Sequence, residues 1–240
     1  MVLSLAAGAL ALLAGRTNPG ASTLSSGPSP STQLSDRGVF EVLLAGKTIG
    51  TESFEIRSSA QQVEARAEIH LRVVQGGKVA DVRTYPDLVL DPQLQPLTYT
   101  WKQKGSQSSS LEVDFRLSPP QARYRTVNGH EDQRTFSLPK DVVVVDDNVV
   151  HHYQLLVARY RLTGSGMRTF KAFIPQEAVR GDLSIQEMGT EPTSLDGATL
   201  DLRHLVVTSE LAHVNLWVDE QQHVLKVSIP EALFEAVRKK

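Results

Sequence analysis

A chain of 240 residues with 25 basic and 27 acidic side chains carries a formal charge of −2, which leaves no basic excess for nucleic acid or an anionic membrane surface. Its 40% hydrophobic and 22% charged content suits a globular protein, and 6% aromatics are too few for a base-stacking platform. The absence of cysteine excludes disulfides, thiolate nucleophiles and Cys-ligated zinc.

Residues 1–15, MVLSLAAGALALLAG, form an apolar run of signal-peptide length, too short for a membrane span. Ala14 and Gly15 suit cleavage, although no Lys or Arg precedes the run. This reading predicts a periplasmic or otherwise extracytoplasmic protein whose mature chain has no integral membrane span. Residues 16–38 are rich in Ser, Thr, Pro and Gly, cannot bury enough apolar surface to offset chain entropy, and read as a disordered linker. A single β-rich domain is then expected over residues 39–240.

From Val39 onward apolar residues recur with a period of two. Phe40, Val42 and Leu44 share a face, Ala45-Gly46-Lys47 reads as a turn, and Phe54 and Ile56 resume the row, which predicts a hairpin. Val63, Ala65, Ala67, Ile69, Leu71 and Val73 alternate with Glu64, Arg66, Glu68, His70 and Arg72, as in an antiparallel strand with one wet face. VQGGK lacks phosphate-loop spacing and reads as a hairpin turn, and LDPQLQP, with its two prolines, should leave the sheet or run along its edge. LEVDFRL, QARYRTV and QRTFSL continue the alternation around a turn at Asn128-Gly129. Further strands are expected in RTFKAFI, LSIQEM, LDLRHLVV, HVNLWV and HVLKVSI, separated by turns such as TSLDG. About ten strands make a strongly curved sheet.

One segment departs from this period. In DNVVHHYQLLVARY, the residues Val149, Val150, Tyr153, Leu156, Val157 and Tyr160 follow helical spacing. Asp146 or Asp147 is placed to cap the helix, with His151 and His152 flanking its buried stripe and Arg159 and Arg161 near its other end. As a metal site the histidine pair is the one candidate and a poor one. Adjacent helical residues diverge by about 100°, whereas metal-binding helices use i,i+4 pairs. At that spacing from His151 and His152 stand Leu155 and Leu156. No catalytic residue or cofactor motif stands out: Gly164-Ser165-Gly166 lacks the nucleophile-elbow pattern.

The layout resembles an uncharacterised family of exported bacterial β-rich proteins, a domain of unknown function. The matching positions are Gly38, Phe40, Val42, Gly46, Ile49 and Gly50 in the first hairpin, Asp147 and Tyr153 in the helix, and Trp217-Val218-Asp219 near the end. The closing hairpin is similar to that of lipoprotein carriers, whose fold is an open half barrel around an apolar cavity. The fold expected is therefore mainly β: a strongly twisted antiparallel sheet forming a half barrel or open barrel, with one mid-chain helix on its concave face. The function expected is a non-enzymatic exported binding or carrier module for a lipid-like or other apolar small molecule, with Trp101, Tyr153, Leu156 and Trp217 lining the site. The alternatives are a cell-envelope scaffold that engages an envelope protein through a sheet edge, and, behind it, a metal-dependent hydrolase built on the histidines. No cofactor and no nucleic acid are expected.

Overall fold

The computed structural model describes residues 34–75, 78–104, 108–195, 197–210 and 212–239. The apolar segment 1–15 and residues 16–33 of the expected linker lie outside the described residues, as do Gly76 and Gly77 of VQGGK and Asp196 of TSLDG. Extended structure begins at Asp36, ahead of the boundary expected at Val39. Asp36, Arg37 and Gly38 already pair with Ile56, Glu55 and Phe54, which holds the end of the expected linker in the sheet.

Among the described residues fifteen strands form one sheet. The first meander comprises β1 (Asp36–Leu44), β2 (Lys47–Ser58), β3 (Val63–Gln75), β4 (Lys78–Leu90), β5 (Pro96–Lys104), β6 (Ser109–Asp114), β7 (Gln121–Arg125) and β8 (Glu131–Thr135). Each is antiparallel to the one before it. The second half starts with β9 (Val143–Val144) and α1 (His152–Leu162). It continues through β10 (Arg168–Ile174), β11 (Val179–Leu195), β12 (Ala198–Thr208), β13 (His213–Val218), β14 (Val224–Ile229) and β15 (Phe234–Arg238). The last strand returns to pair with β1, Val42 opposite Ala236, so this ladder joins the two halves. The sheet remains open, with β8 and β9 as its edges, and α1 packs on its concave face.

Local chemistry explains much of this. Ala45 and Gly46, with φ of 49° and 73°, make a two-residue turn whose twist matches the strands that it joins. Gly50 lies so close to β3 that a Cβ there would stand 1.9 Å from the carbonyl oxygen of His70. As expected, LDPQLQP leaves the sheet between β4 and β5. The strands that apolar alternation singles out least are β4, β5, β9 and β15. In β4 the inward row includes Thr84 and Pro86 between Val82 and Leu88, which weakens the pattern, while β9 is too short to show one.

The helix sits where topology demands a crossover. Among the described ladders β9 and β10 are the parallel pair, and parallel strands require a long connection, here α1. Its buried residues, His152, Gln154, Leu155, Leu156, Val157, Ala158 and Tyr160, cover most of its circumference. The curled sheet therefore surrounds it more completely than a single apolar stripe implies.

Candidate functional site

Glu52 is the polar residue that the inward rows bring deepest. In β2 it occupies the same face as Phe54 and Ile56, and it is wholly buried. Its carboxylate accepts the backbone N–H of Val150 at 2.7 Å, that of His151 at 2.7 Å and the ring Nδ1–H of His151 at 2.8 Å. A strand thus supplies the negative group that the helix N-terminus favours. The cap expected from Asp146 or Asp147 does not form. The helix starts at His152, after an N-cap residue His151 that makes no side-chain cap bond.

Asp146 has a different task. Its Oδ2 accepts the hydroxyl hydrogen of Tyr99 in β5, while Oδ1 accepts the backbone N–H groups of Asp147 and Gln176, both at 3.0 Å. Its own backbone N–H donates to Nδ1 of His152 at 3.1 Å. Asp147, only half-buried, accepts from the Asn148 amide at 3.0 Å.

The histidines do not flank the buried surface as expected; both are fully buried within it. The His151 ring stacks on Phe54 at 5.9 Å and meets His152 edge-on at 4.8 Å, and His152 meets Tyr99 edge-on at 5.7 Å. Glu52, His151, His152, Asp146 and Tyr99 therefore form a continuous polar seam from β2 across the root of α1 to β5. The Nε2 atoms of both histidines are buried and have no hydrogen-bond partner among the described residues. Further along α1, Gln154 donates to the Gln222 carbonyl and accepts from the Val224 N–H, both at 2.7 Å, which ties the helix to the turn between β13 and β14.

Burial dominates the electrostatics. It pushes Asp146 up to about 6, against the hydrogen bonds from Tyr99 and Gln176. Asp147 is pushed up to about 7 by burial, then by the charges of Asp146 and Glu177. Burial, and secondarily His151, hold His152 well below the ordinary histidine value, so its imidazole is neutral. Tyr99 is raised well above the ordinary phenol value by burial and by Asp146.

No family model matches the chain, and no curated protein matches it. A crystal structure of a DUF1089 family protein from Pseudomonas aeruginosa is similar at a TM-score of 0.44 and 12% identity, covering 72% of this chain and 87% of that one.

The residues expected to line a ligand site are only partly brought together. Trp101 and Leu156 lie in the core, and Tyr153 is half-buried on α1. Trp217 alternates with the buried Leu216 and Val218 and so faces the other side of the sheet. There its ring stacks on His204 at 5.0 Å and its indole N–H donates to Glu191 at 2.7 Å. Among the described residues no group of three or more His, Asp or Glu side chains is placed to hold a metal ion. No helix of the described residues is long and apolar enough to cross a membrane.

Glu52 and Tyr99 are the site residues that sequence reasoning passes over. A signal for Glu52 exists: a carboxylate in an inward row, between Gly50 and Phe54, is out of place unless something pairs with it. Tyr99 shares the inward face of β5 with Trp101, where a hydroxyl needs a partner when buried.

Proposed function

We propose that the protein is a non-enzymatic, extracytoplasmic binding or carrier module for an apolar, lipid-like molecule held between α1 and the concave face of the sheet. One observation carries this reading. Among the described residues one helix covers an apolar half barrel, and its root is a buried polar seam with two imidazole nitrogens that have no partner there. Buried polar groups without partners cost stability, and their retention is accounted for by a ligand that completes them. In this reading Trp101, Tyr153 and Leu156 contact the ligand's apolar part, while Trp217 on the other face serves a separate contact. The export component rests on the apolar segment 1–15.

The sheet edges favour this reading over a scaffold that recruits an envelope protein by strand addition. Edge strand β8 is short and reads Glu-Asp-Gln-Arg-Thr, a charged edge that discourages pairing. In β11 the β10 ladder covers only Val179–Ile185, leaving the later residues with β12 alone. That stretch carries an irregularity between Glu187 and Gly189 and a proline at 192, both of which interrupt a docking ladder. The test is native mass spectrometry of protein purified from its own host's envelope. A retained lipid should appear as added mass on a chain lacking residues 1–15. A full-length, ligand-free protein in the cytoplasmic fraction, with no affinity for added lipid, would overturn the proposal.

A further inference from the structure

The last strand stops short of the one that it joins. Its final rung on β1 pairs Phe40 with Arg238, and one further backbone bond runs from the Lys239 N–H to the Val39 carbonyl at 2.8 Å. β1 continues past that point as Asp36–Gly38, paired there with β2 alone. A side chain takes the place of the missing strand. Arg238 folds back along the open edge and donates to both carboxylate oxygens of Asp36 and to the Arg37 carbonyl at 2.7 Å. At this bridge opens a cavity of about 670 Å³ lined by Asp36, Arg37, Glu55, Arg57, His223 and Arg238.

We propose that this cavity binds a phosphate group, that of a small phosphate ester or of a phospholipid headgroup, at a site separate from the concave face. Three guanidinium groups line it against two carboxylates, and both carboxylates are already engaged, Asp36 by Arg238 and Glu55 by Arg57 at 2.8 Å. Arg37 stands opposite Glu55 in the β1–β2 ladder, yet its side chain makes no ion pair or hydrogen bond among the described residues. The unspent charge is therefore positive, in a chain whose formal charge is −2. A cation would be repelled by it, and a neutral ligand would leave it unanswered. Guanidinium groups match oxyanions in a forked geometry. A carboxylate is planar and is satisfied by one such fork, whereas the tetrahedral oxygens of phosphate can be reached from several walls of a cavity.

The test uses the full chain labelled with 15N-arginine, whose Nε–H signals are followed at low ionic strength. Inorganic phosphate, glycerol 3-phosphate, acetate and dihexanoyl phosphatidylglycerol below its micelle concentration are titrated in turn. Arg37 is exposed, so Arg37→Gln keeps the fold and the Arg238–Asp36 bridge, and the signal that it deletes identifies Arg37. Both soluble phosphates should move the Arg37 signal to saturation. Followed at the Arg57 signal, phosphate should bind roughly tenfold more weakly to Arg37→Gln, the worth of one charge-assisted hydrogen bond, and more tightly to Glu55→Gln, which removes a competing carboxylate. Lys47→Gln, an exposed charge at the other end of β2, should change nothing. Phosphatidylglycerol binding more tightly than glycerol 3-phosphate assigns the site to a lipid headgroup, and equal or weaker binding assigns it to a free phosphate ester. The proposal is overturned by the lack of a saturable shift, by acetate binding as tightly as phosphate, or by Lys47→Gln weakening binding as much as Arg37→Gln, which would mark diffuse surface charge.

Discussion

Glu52 serves three donors at once, and removing its carboxylate would leave all of them buried without an acceptor. Glu52→Ala should therefore cost several kcal/mol, since each buried donor left without an acceptor costs about 1–3 kcal/mol. Glu52→Gln, which keeps one accepting oxygen, should cost about 1–3 kcal/mol. Glu55→Ala, three residues away on the half-buried outer row, is the control and should change stability by less than about 0.5 kcal/mol. Urea midpoints check all three. Asp147 gives a pH-dependent prediction. Its folded value of about 7 lies above its ordinary 3.8, so the folded state binds its proton more tightly. The stability it contributes is full below about pH 4 and is lost as pH rises through about 7. Asp147→Asn should thus gain in urea midpoint relative to wild type between pH 4 and pH 8. The buried neutral His152 has the opposite sign, losing stability as pH falls below its ordinary 6.5, but it is common to both proteins and cancels in the difference.

At the scale of the element, α1 is held by its crossover position, by Glu52 at its root and by Gln154 along its length. Leu156 is 2% exposed, so Leu156→Ala should destabilise the protein by about 2–5 kcal/mol, the usual range for a core truncation. Under the carrier proposal the same variant also loses bound lipid. The urea midpoint of wild type should rise on lipid loading, since a ligand bound only to the folded state stabilises it, and that rise should shrink in the variant. A large penalty with an unchanged response to lipid would mark α1 as a purely structural plug.

The whole molecule is two antiparallel halves joined at the β1–β15 ladder, and one contact across that joint stands out. Arg238 donates to both carboxylate oxygens of the buried Asp36 and lies over Phe54 at 5.3 Å. The chain has two tryptophans, Trp101 in the first half and Trp217 in the second, so each half carries its own fluorescent reporter. The shared core and joint predict one cooperative transition. Trp101→Phe and Trp217→Phe should leave proteins whose fluorescence change coincides with the loss of far-UV circular dichroism at the same urea concentration. Arg238→Ala should move both reporters together to lower urea. Separate transitions for the two reporters would show that the joint does not couple the halves.

Much of the architecture was legible before any pairing was known, because it follows from local chemistry. Period-two rows such as Val63 to Leu71 require a half-buried strand, Gly46 marks a tight turn, and the spacing from Tyr153 to Tyr160 requires a helix. The openness of the sheet and its helix-covered concave face were likewise expected. The start of α1 was not legible, because the aspartates that look like caps are drawn elsewhere, Asp146 to Tyr99 and Gln176. The group beneath the helix N-terminus is Glu52, 99 residues from His151 in sequence. Local periodicity can place a carboxylate in an inward row, but it cannot name its partner. That was decided by sheet curvature and strand register, which carry β2 and β5 beneath the root of α1. The same long-range closure buried both histidines and left the Nε2 of each without a partner among the described residues, the feature on which the proposed function rests.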